Sequence, residues 1–196
     1  MYILGISCYY HDAAAVLLKD GLLVAAAEEE RFSRNKHDHG FPKLAIEFCL
    51  RHEGISRRQI DYVVFYEKPL VKFERILMSN LATFPRSWRG FGEAMNLWFR
   101  EKMWIKSVLK RELGLNSEKV LFSDHHLSHA ASAFFASPFD ESAILTMDGV
   151  GEWSNATWGH GKASWADGSE NKLVLSHEQR FPHSLGLLYS AFTAFL

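Results

Sequence analysis

The chain has 196 residues, of which 47% are hydrophobic and 23% are charged, and these values exclude an intrinsically disordered protein. The net charge of −1 provides no bulk positive field for binding nucleic acid, and two cysteines are too few for a disulfide framework. No uncharged stretch is long enough for a transmembrane helix, and the N-terminus lacks the basic segment of a signal peptide, so we expect a cytoplasmic location.

Three short strands are predicted at the start of the chain. Tyr2–Ser7 is an apolar run with β-branched residues, and a second apolar run covers Ala13–Leu18. The dipeptide Asp20-Gly21 favours a tight turn into a third strand, Leu22–Glu28, so the last two runs are expected to form a hairpin.

Helices and strands alternate in the middle of the chain. Apolar residues recur at helical spacing in Lys43–His52, and Gly54 is a suitable cap for the end of that helix. The other predicted elements are a strand at Asp61–Tyr66, a long amphipathic helical region at 71–113 that breaks at Thr83–Pro85, a strand at Val120–Phe122 and a helix at Leu127–Ser137.

The pattern of the first half then begins again. Strands are predicted at Ala143–Met147, Asn155–His160 and Leu173–Gln179, and a helix is predicted over Ser184–Leu196. The order of elements predicts an α/β fold with two related halves, the second of them incomplete. Because the last helix reaches Leu196 at full hydrophobicity without a cap, we expect the chain to be part of a longer protein.

The segment SDHHLSHAAS, residues 123–132, carries the strongest candidate site. His125 and His129 are four residues apart at the start of a predicted helix, so their imidazoles lie on one face and could share a metal ion. A surface pair without a ligand is the alternative for this spacing alone. His126 points to another side, and we interpret it as a histidine that supports the ligands or belongs to the core.

Asp148 adds a carboxylate to this candidate site. It follows the apolar strand AILTM and precedes Gly149, Val150, Gly151 and Glu152, a position at which α/β folds bind ligands. The glycines allow the backbone to approach a phosphate group closely. Two histidines and one carboxylate suit Fe(II), with Zn or Mn as alternatives, whereas the Asp-Gly pair by itself could be an ordinary β-turn.

Two segments near the N-terminus also carry titratable residues. His11-Asp12 lies in the predicted turn between the first two strands, where His11 could act as a general base or orient a substrate hydroxyl. The alternative is a turn in which Asp12 bonds its own backbone. The segment Glu28–Pro42, which includes Lys36, alternates in charge and could bind a phosphate, although such runs are more often solvated loops.

The aromatic residues and the last helix support weaker interpretations. The region 71–113 carries aromatic residues at helical spacing with basic residues opposite, and we favour a core or protein interface over a membrane or nucleic-acid surface. Ser184 is a predicted helix N-cap with Gly186 two residues further on. The amides at this helix start could hold a phosphate or an adenylate.

Five motifs, taken in order, resemble those of the NodU-type O-carbamoyltransferases. They are HDAA at 11–14, EEERFSRNKH at 28–37, SDHHLSHAASAF at 123–134, MDGVGEW at 147–153 and FPHSLGLLYSAFT at 181–193. The resemblance covers essentially the whole chain. It implies an actin-like, sugar-kinase-like (ribonuclease H-like) fold of βββαβα halves, with a first subdomain at 1–140 that contains the insertion 71–113 and a truncated second subdomain at 141–196.

The resemblance also implies a function and a set of site residues. Members of the family form carbamoyl-adenylate from carbamoyl phosphate and ATP in a C-terminal domain. Their N-terminal domain transfers the carbamoyl group to a hydroxyl of a small-molecule acceptor, usually in natural-product biosynthesis. The family's metal ligands correspond to His125, His129 and Asp148, and its histidine near the acceptor corresponds to His11. Its adenylate-contacting positions correspond to Gly149, Val150, Gly151, Glu152, Lys36, Ser184 and Gly186.

The expected partners follow from the same resemblance. They are a hydroxylated small molecule and the adenylate-forming domain, which lies outside these 196 residues and without which the reaction is not expected to be completed. Neither nucleic acid nor a membrane is expected, and a homodimer is one open arrangement. The alternatives are a threonylcarbamoyl transferase acting on tRNA, a sugar kinase, or a non-catalytic metal- or nucleotide-binding module. The insertion 71–113 is a candidate lid or acceptor wall.

Overall fold

A computed structural model describes residues 1–100, 102–164 and 170–196. Its contacts divide the chain into two compact units, which are described separately. The first unit comprises residues 1–69 and 80–122, and the second comprises residues 70–79 and 123–196. The predicted subdomain boundary after residue 140 stays a prediction, and Glu101 of the predicted insertion lies outside the described residues.

The first unit is built on a five-stranded sheet in the order β3-β2-β1-β4-β5. The strands β1, β2 and β3 are antiparallel neighbours, and β4 and β5 continue the sheet in parallel from β1. Asp20 and Gly21 both have positive φ angles, as the tight turn between β2 and β3 requires. The strand bounds are Tyr2–Ser7, Ala14–Lys19, Leu22–Glu28, Tyr62–Phe65 and Val120–Phe122.

Helices in the first unit cover the apolar side chains of this sheet. Helix α2, Lys43–Glu53, buries Ala45, Ile46 and Cys49 and ends at Gly54 in the left-handed conformation. These side chains share one core with buried residues of β1, β2 and β4. The other helices of this unit are α1 at Glu30–Ser33, α4 at Trp88–Arg100 and α5 at Ile105–Leu113.

Two differences from the prediction occur in these helices. The short helix α1 lies in a segment for which only a loop was considered, and the carboxylate of Glu29 just before it accepts hydrogen bonds from the amides of Leu44 and Ala45. The predicted break at Thr83–Pro85 is confirmed, because α3 ends at Ala82 and α4 begins at Trp88. Helix α3, Pro69–Ala82, contributes its residues 70–79 to the second unit.

Among the described residues, the second unit contains an antiparallel sheet in the order β6-β7-β8 and two further helices. The strands are Glu141–Met147, Ser154–Lys162 and Lys172–Arg180, and the helices are α6 at His125–Phe134 and α7 at Leu185–Phe195. Phe134 and Ala130 of α6 pack with Ile144 in a small core. Helix α6 begins at His125 rather than at the predicted Leu127, so His125 and His126 occupy its first turn.

The predicted α/β class is confirmed by this topology. Three antiparallel strands followed by parallel β4 and β5, with helices between them, match the predicted order of elements in the first half, and the second unit has three antiparallel strands and a helix after them. Within the residues that the structure describes, no helix combines the length and apolar character needed to cross a bilayer. The cytoplasmic location stays a prediction.

Candidate metal centre

Helix α6 and the end of strand β6 bring three candidate metal ligands together. The Nε2 atoms of His125 and His129 are 3.1 Å apart, and Nε2 of His125 is 2.8 Å from Oδ2 of Asp148. The two histidines are adjacent because one helical turn separates them. Asp148 joins them because it directly follows β6, where its amide donates a hydrogen bond to the carbonyl of Asn155. Two imidazoles and one carboxylate therefore converge on one point of the second unit.

The electrostatics of Asp148 and His129 favour the protonation states that a metal ion needs in its ligands. The hydrogen bond from His125 lowers the pKa of Asp148 to about 2, and the amide of Gly149 adds to this effect. Partial desolvation lowers the pKa of His129, and repulsion from His125 lowers it further. At neutral pH Asp148 is therefore ionised and His129 is neutral, as ligands of a divalent cation must be.

The donor set itself identifies the class of ion. One ligand atom from each of His125, His129 and Asp148 lies within 4.8 Å of the others. Imidazole suits Zn and Fe, while the addition of a single carboxylate favours borderline cations that keep open coordination positions. The predicted set of ligands thus fits Fe(II), Zn or Mn, and occupancy by one of these ions stays a prediction.

The glycine loop after Asp148 is closed by the start of helix α7. The hydroxyl of Ser184 donates to the carbonyl of Gly149 at 2.6 Å, and its oxygen accepts from the amide of Leu187, which confirms the predicted N-cap. A side chain at Gly186 would meet the carbonyl oxygen of Asp148 at 2.7 Å. The predicted adenylate-contacting positions of the second unit are therefore contiguous with the candidate ligands, while their ligand stays a prediction.

His126 connects helix α6 to both stems of the same loop. Its Nδ1 atom lies 2.6 Å from Oγ1 of Thr146, and its Nε2 atom lies 2.7 Å from the carbonyl oxygen of Ser154. Burial lowers the pKa of His126. The contacts with Thr146 and Ser154 were not anticipated from the sequence, because neither residue stands in a recognisable spacing with the histidines.

A cleft of about 430 Å³ opens beside His126 in the second unit. Its wall includes the start of α6, the glycine loop and strands β7 and β8. Three acidic residues, Asp124, Glu152 and Glu178, line it. The predicted site residue Glu152 is buried at its edge.

The remaining predicted site residues belong to the first unit. His11 is exposed and its ring packs edge-on against Tyr10 at 4.0 Å between centroids. Asp12 lies 2.9 Å from Nδ1 of His37, and together with Glu30 these two residues form a second group of closely spaced ligand atoms. Lys36 is exposed. The roles proposed for His11 and Lys36 stay predictions.

One known protein family matches nearly the whole chain. The family described as "Carbamoyltransferase N-terminus" matches residues 2–196. The uncharacterized protein sll1178 of Synechocystis sp. (strain ATCC 27184 / PCC 6803 / Kazusa) is 56% identical over 98% of this chain and 31% of its own length. The nodulation protein NolNO of Sinorhizobium fredii (strain NBRC 101917 / NGR234) is 35% identical over 92% of this chain and 25% of its own length.

Two further facts qualify these similarities. The chain spans less than a third of the length of the two curated relatives named above. Among solved structures, YeaZ from Pseudomonas aeruginosa is similar with a TM-score of 0.43 and 13% identity, over 84% of this chain and 60% of that one.

Proposed function

The chain belongs to the carbamoyltransferase N-terminus family, and we propose that it transfers a carbamoyl group from carbamoyl-adenylate to a hydroxyl of a small-molecule acceptor. In this proposal the carbamoyl-adenylate is made from carbamoyl phosphate and ATP by a further domain. The observation that carries the proposal is the convergence of His125, His129 and Asp148 on one point beside a glycine loop. Sugar or protein kinase chemistry would instead need carboxylates for Mg²⁺ and would have no use for the paired imidazoles.

The three ligands would hold a divalent cation, Fe(II) or alternatively Zn or Mn. When bound there, such an ion supplies Lewis-acid stabilisation of a carbonyl or phosphate oxygen. Asp148 contributes a negative charge to the ligand set, since its depressed pKa keeps it ionised. Its second oxygen accepts a hydrogen bond from the amide of Gly149 at 2.6 Å, which holds the carboxylate in one orientation.

The proposed transfer forms one bond to the carbamoyl carbon and breaks another. The acceptor hydroxyl oxygen attacks the carbamoyl carbon, a C–O bond forms, and the bond from that carbon to the adenylate phosphate oxygen breaks. The hydroxyl proton passes to His11, and AMP leaves. Backbone amides of Val150 and Gly151, with the Ser184–Gly186 segment, would bind the adenylate phosphate. Exclusion of water from this site is required, because carbamoyl-adenylate would otherwise hydrolyse.

Metal analysis tests the centre on which this proposal depends. His125→Ala and His129→Ala should each lower the metal content of the purified protein, because each removes one of three ligands. His160→Ala is the matched control, since His160 is an exposed histidine on β7 of the same unit and is outside the cluster. Equal metal content in all four proteins would refute the proposed centre.

The reaction itself is tested with the whole protein. Incubation with carbamoyl phosphate, ATP and a panel of hydroxylated acceptors should yield a product heavier by one carbamoyl group, detected by mass. His11→Asn should abolish this product and leave ATP-dependent adenylate formation intact. Loss of both activities in His11→Asn would show that His11 is needed for the structure instead.

A further inference from the structure

We infer that His126 is a positioning residue for the metal centre, an inference that rests on the proposed function. It ties helix α6, which carries the two ligand histidines, to both stems of the loop that begins at Asp148. Both of its ring nitrogens are hydrogen-bonded to protein atoms, so neither is a ligand of the proposed ion. Its task is to hold the carboxylate of Asp148 at coordinating distance from His125 and His129.

The hydrogen bonds of His126 have only one arrangement when the ring is neutral. The carbonyl oxygen of Ser154 can only accept, so Nε2 must carry the proton that is donated to it at 2.7 Å. Nδ1 is then a lone-pair acceptor, and the hydroxyl of Thr146 must donate to it at 2.6 Å. Both ring nitrogens are thus satisfied in a side chain that is only 4% exposed.

A second hydroxyl extends this chain of hydrogen bonds across the sheet. Oγ1 of Thr146 lies 2.6 Å from Oγ1 of Thr157 on the neighbouring strand. Because Thr146 uses its proton on His126, Thr157 must donate to Thr146. The direction therefore runs from Thr157 through Thr146 and His126 to the carbonyl of Ser154, and it links α6, β6 and β7. Buried networks in which every member is paired hold their elements in one relative position.

The two anchor points lie on either side of Asp148. Thr146 precedes Asp148 by two residues on β6, and Ser154 follows the glycine loop. Between them, Gly151 lies against the rings, and a Cβ at that position would meet Cδ2 of His125 at 3.0 Å and Nε2 of His126 at 3.2 Å. The loop thus rests directly on the imidazoles, and a shift of Ser154 or Thr146 would move Asp148 relative to them.

Two substitutions at position 126 separate positioning from simple packing. The amide of Gln can stand near Nε2 and donate to the Ser154 carbonyl, whereas the shorter Asn reaches only the Nδ1 position. His126→Gln should therefore retain the bond to the loop, and His126→Asn should lose it. Phe134→Leu is the control for destabilisation, because Phe134 is buried in the same helix and packs in the small core with Ala130 and Ile144.

Co(II) is the probe, because its visible absorption reports the number and kind of ligands independently of activity. Wild type, His126→Gln and Phe134→Leu should share one spectrum and bind Co(II) within a few-fold of each other. His126→Asn should bind roughly 10- to 100-fold more weakly and show an altered spectrum, as expected when a group that orients ligands is removed. A folded His126→Asn protein with wild-type affinity and spectrum would overturn the inference.

A second variant covers the outcome in which His126→Asn does not fold. His126→Met keeps much of the side-chain volume but has no donor for the Ser154 carbonyl, so it should also weaken Co(II) binding and alter the spectrum. Unchanged binding in a folded His126→Met protein would then overturn the inference. If the wild type itself binds no Co(II), the proposed metal centre is refuted and the inference about His126 with it. If the wild type binds Co(II) and the variants bind it with the same affinity and spectrum, only the role of His126 is refuted.

Discussion

Replacing Asp148 by Asn should remove the part of the acid-induced loss of stability that comes from this carboxylate. Hydrogen bonding to His125 lowers the pKa of Asp148 to about 2 from an ordinary 3.8. At about 1.4 kcal/mol per pH unit, the depression is worth about 2 kcal/mol of folding free energy. The side chain is 29% exposed, so solvent screening removes only part of this.

The direction of this pH effect follows from the linkage between proton binding and folding. A carboxylate whose pKa is lower in the folded state stabilises that state above the unfolded pKa near 4, and the stabilisation is lost as the pH falls through about 2. Asn resembles the protonated acid and does not titrate, so the variant has no such stabilisation to lose as the pH falls. The wild type should therefore exceed Asp148→Asn by about 2 kcal/mol at pH 5, and the two proteins should converge near pH 2.

Urea unfolding of the metal-free protein between pH 2 and pH 5, with a chelator present, measures this difference. Asp140→Asn is the control, since Asp140 is an exposed acid next to the other end of β6 and is not in the cluster. Asp140→Asn removes an acid and leaves the contact between His125 and Asp148 in place, so it should keep the loss of stability that this contact gives the wild type between pH 5 and pH 2. A wild-type advantage over Asp148→Asn that does not change between pH 2 and pH 5 would show that the carboxylate is not held by His125.

Three further predictions concern the same unit. Gly151→Ala should lower the free energy of unfolding by about 1–3 kcal/mol and weaken Co(II) binding, because its Cβ would stand 3.0 Å from His125. Gly149→Ala is the control, since a Cβ there would meet open space, and equal behaviour of the two variants in thermal unfolding would contradict the prediction. Asn155→Leu should raise the free energy of unfolding by about 1–3 kcal/mol, because the buried amide of Asn155 has no hydrogen-bond partner within the described part of the chain. A loss of stability in this variant would instead indicate that a bound group pairs with Asn155. Ser184→Ala should cost about 1 kcal/mol in the same assay through loss of the N-cap, while Ser184→Thr should recover most of it because its hydroxyl can still accept from Leu187 and donate to Gly149.

The sequence alone predicted the elements whose signals are local. The strands Tyr2–Ser7 and Leu22–Glu28 have the predicted bounds, because apolar runs and an Asp-Gly turn define both ends within a few residues. The pairing of His125 with His129 was also predictable, since helical spacing alone places i and i+4 together. The start of α6 was placed two residues late, because two histidines in its first turn carry no apolar signal.

Only the tertiary structure decided which distant groups meet. Asp148 is 23 residues from His125, and their 2.8 Å contact depends on how α6 packs against β6. The partners of His126, Thr146 and Ser154, are ordinary polar residues whose spacing in the chain carries no pattern. The periodicity of a sequence predicts the direction in which a side chain points from its own helix or strand. The separation of two elements depends instead on the packing of every side chain between them.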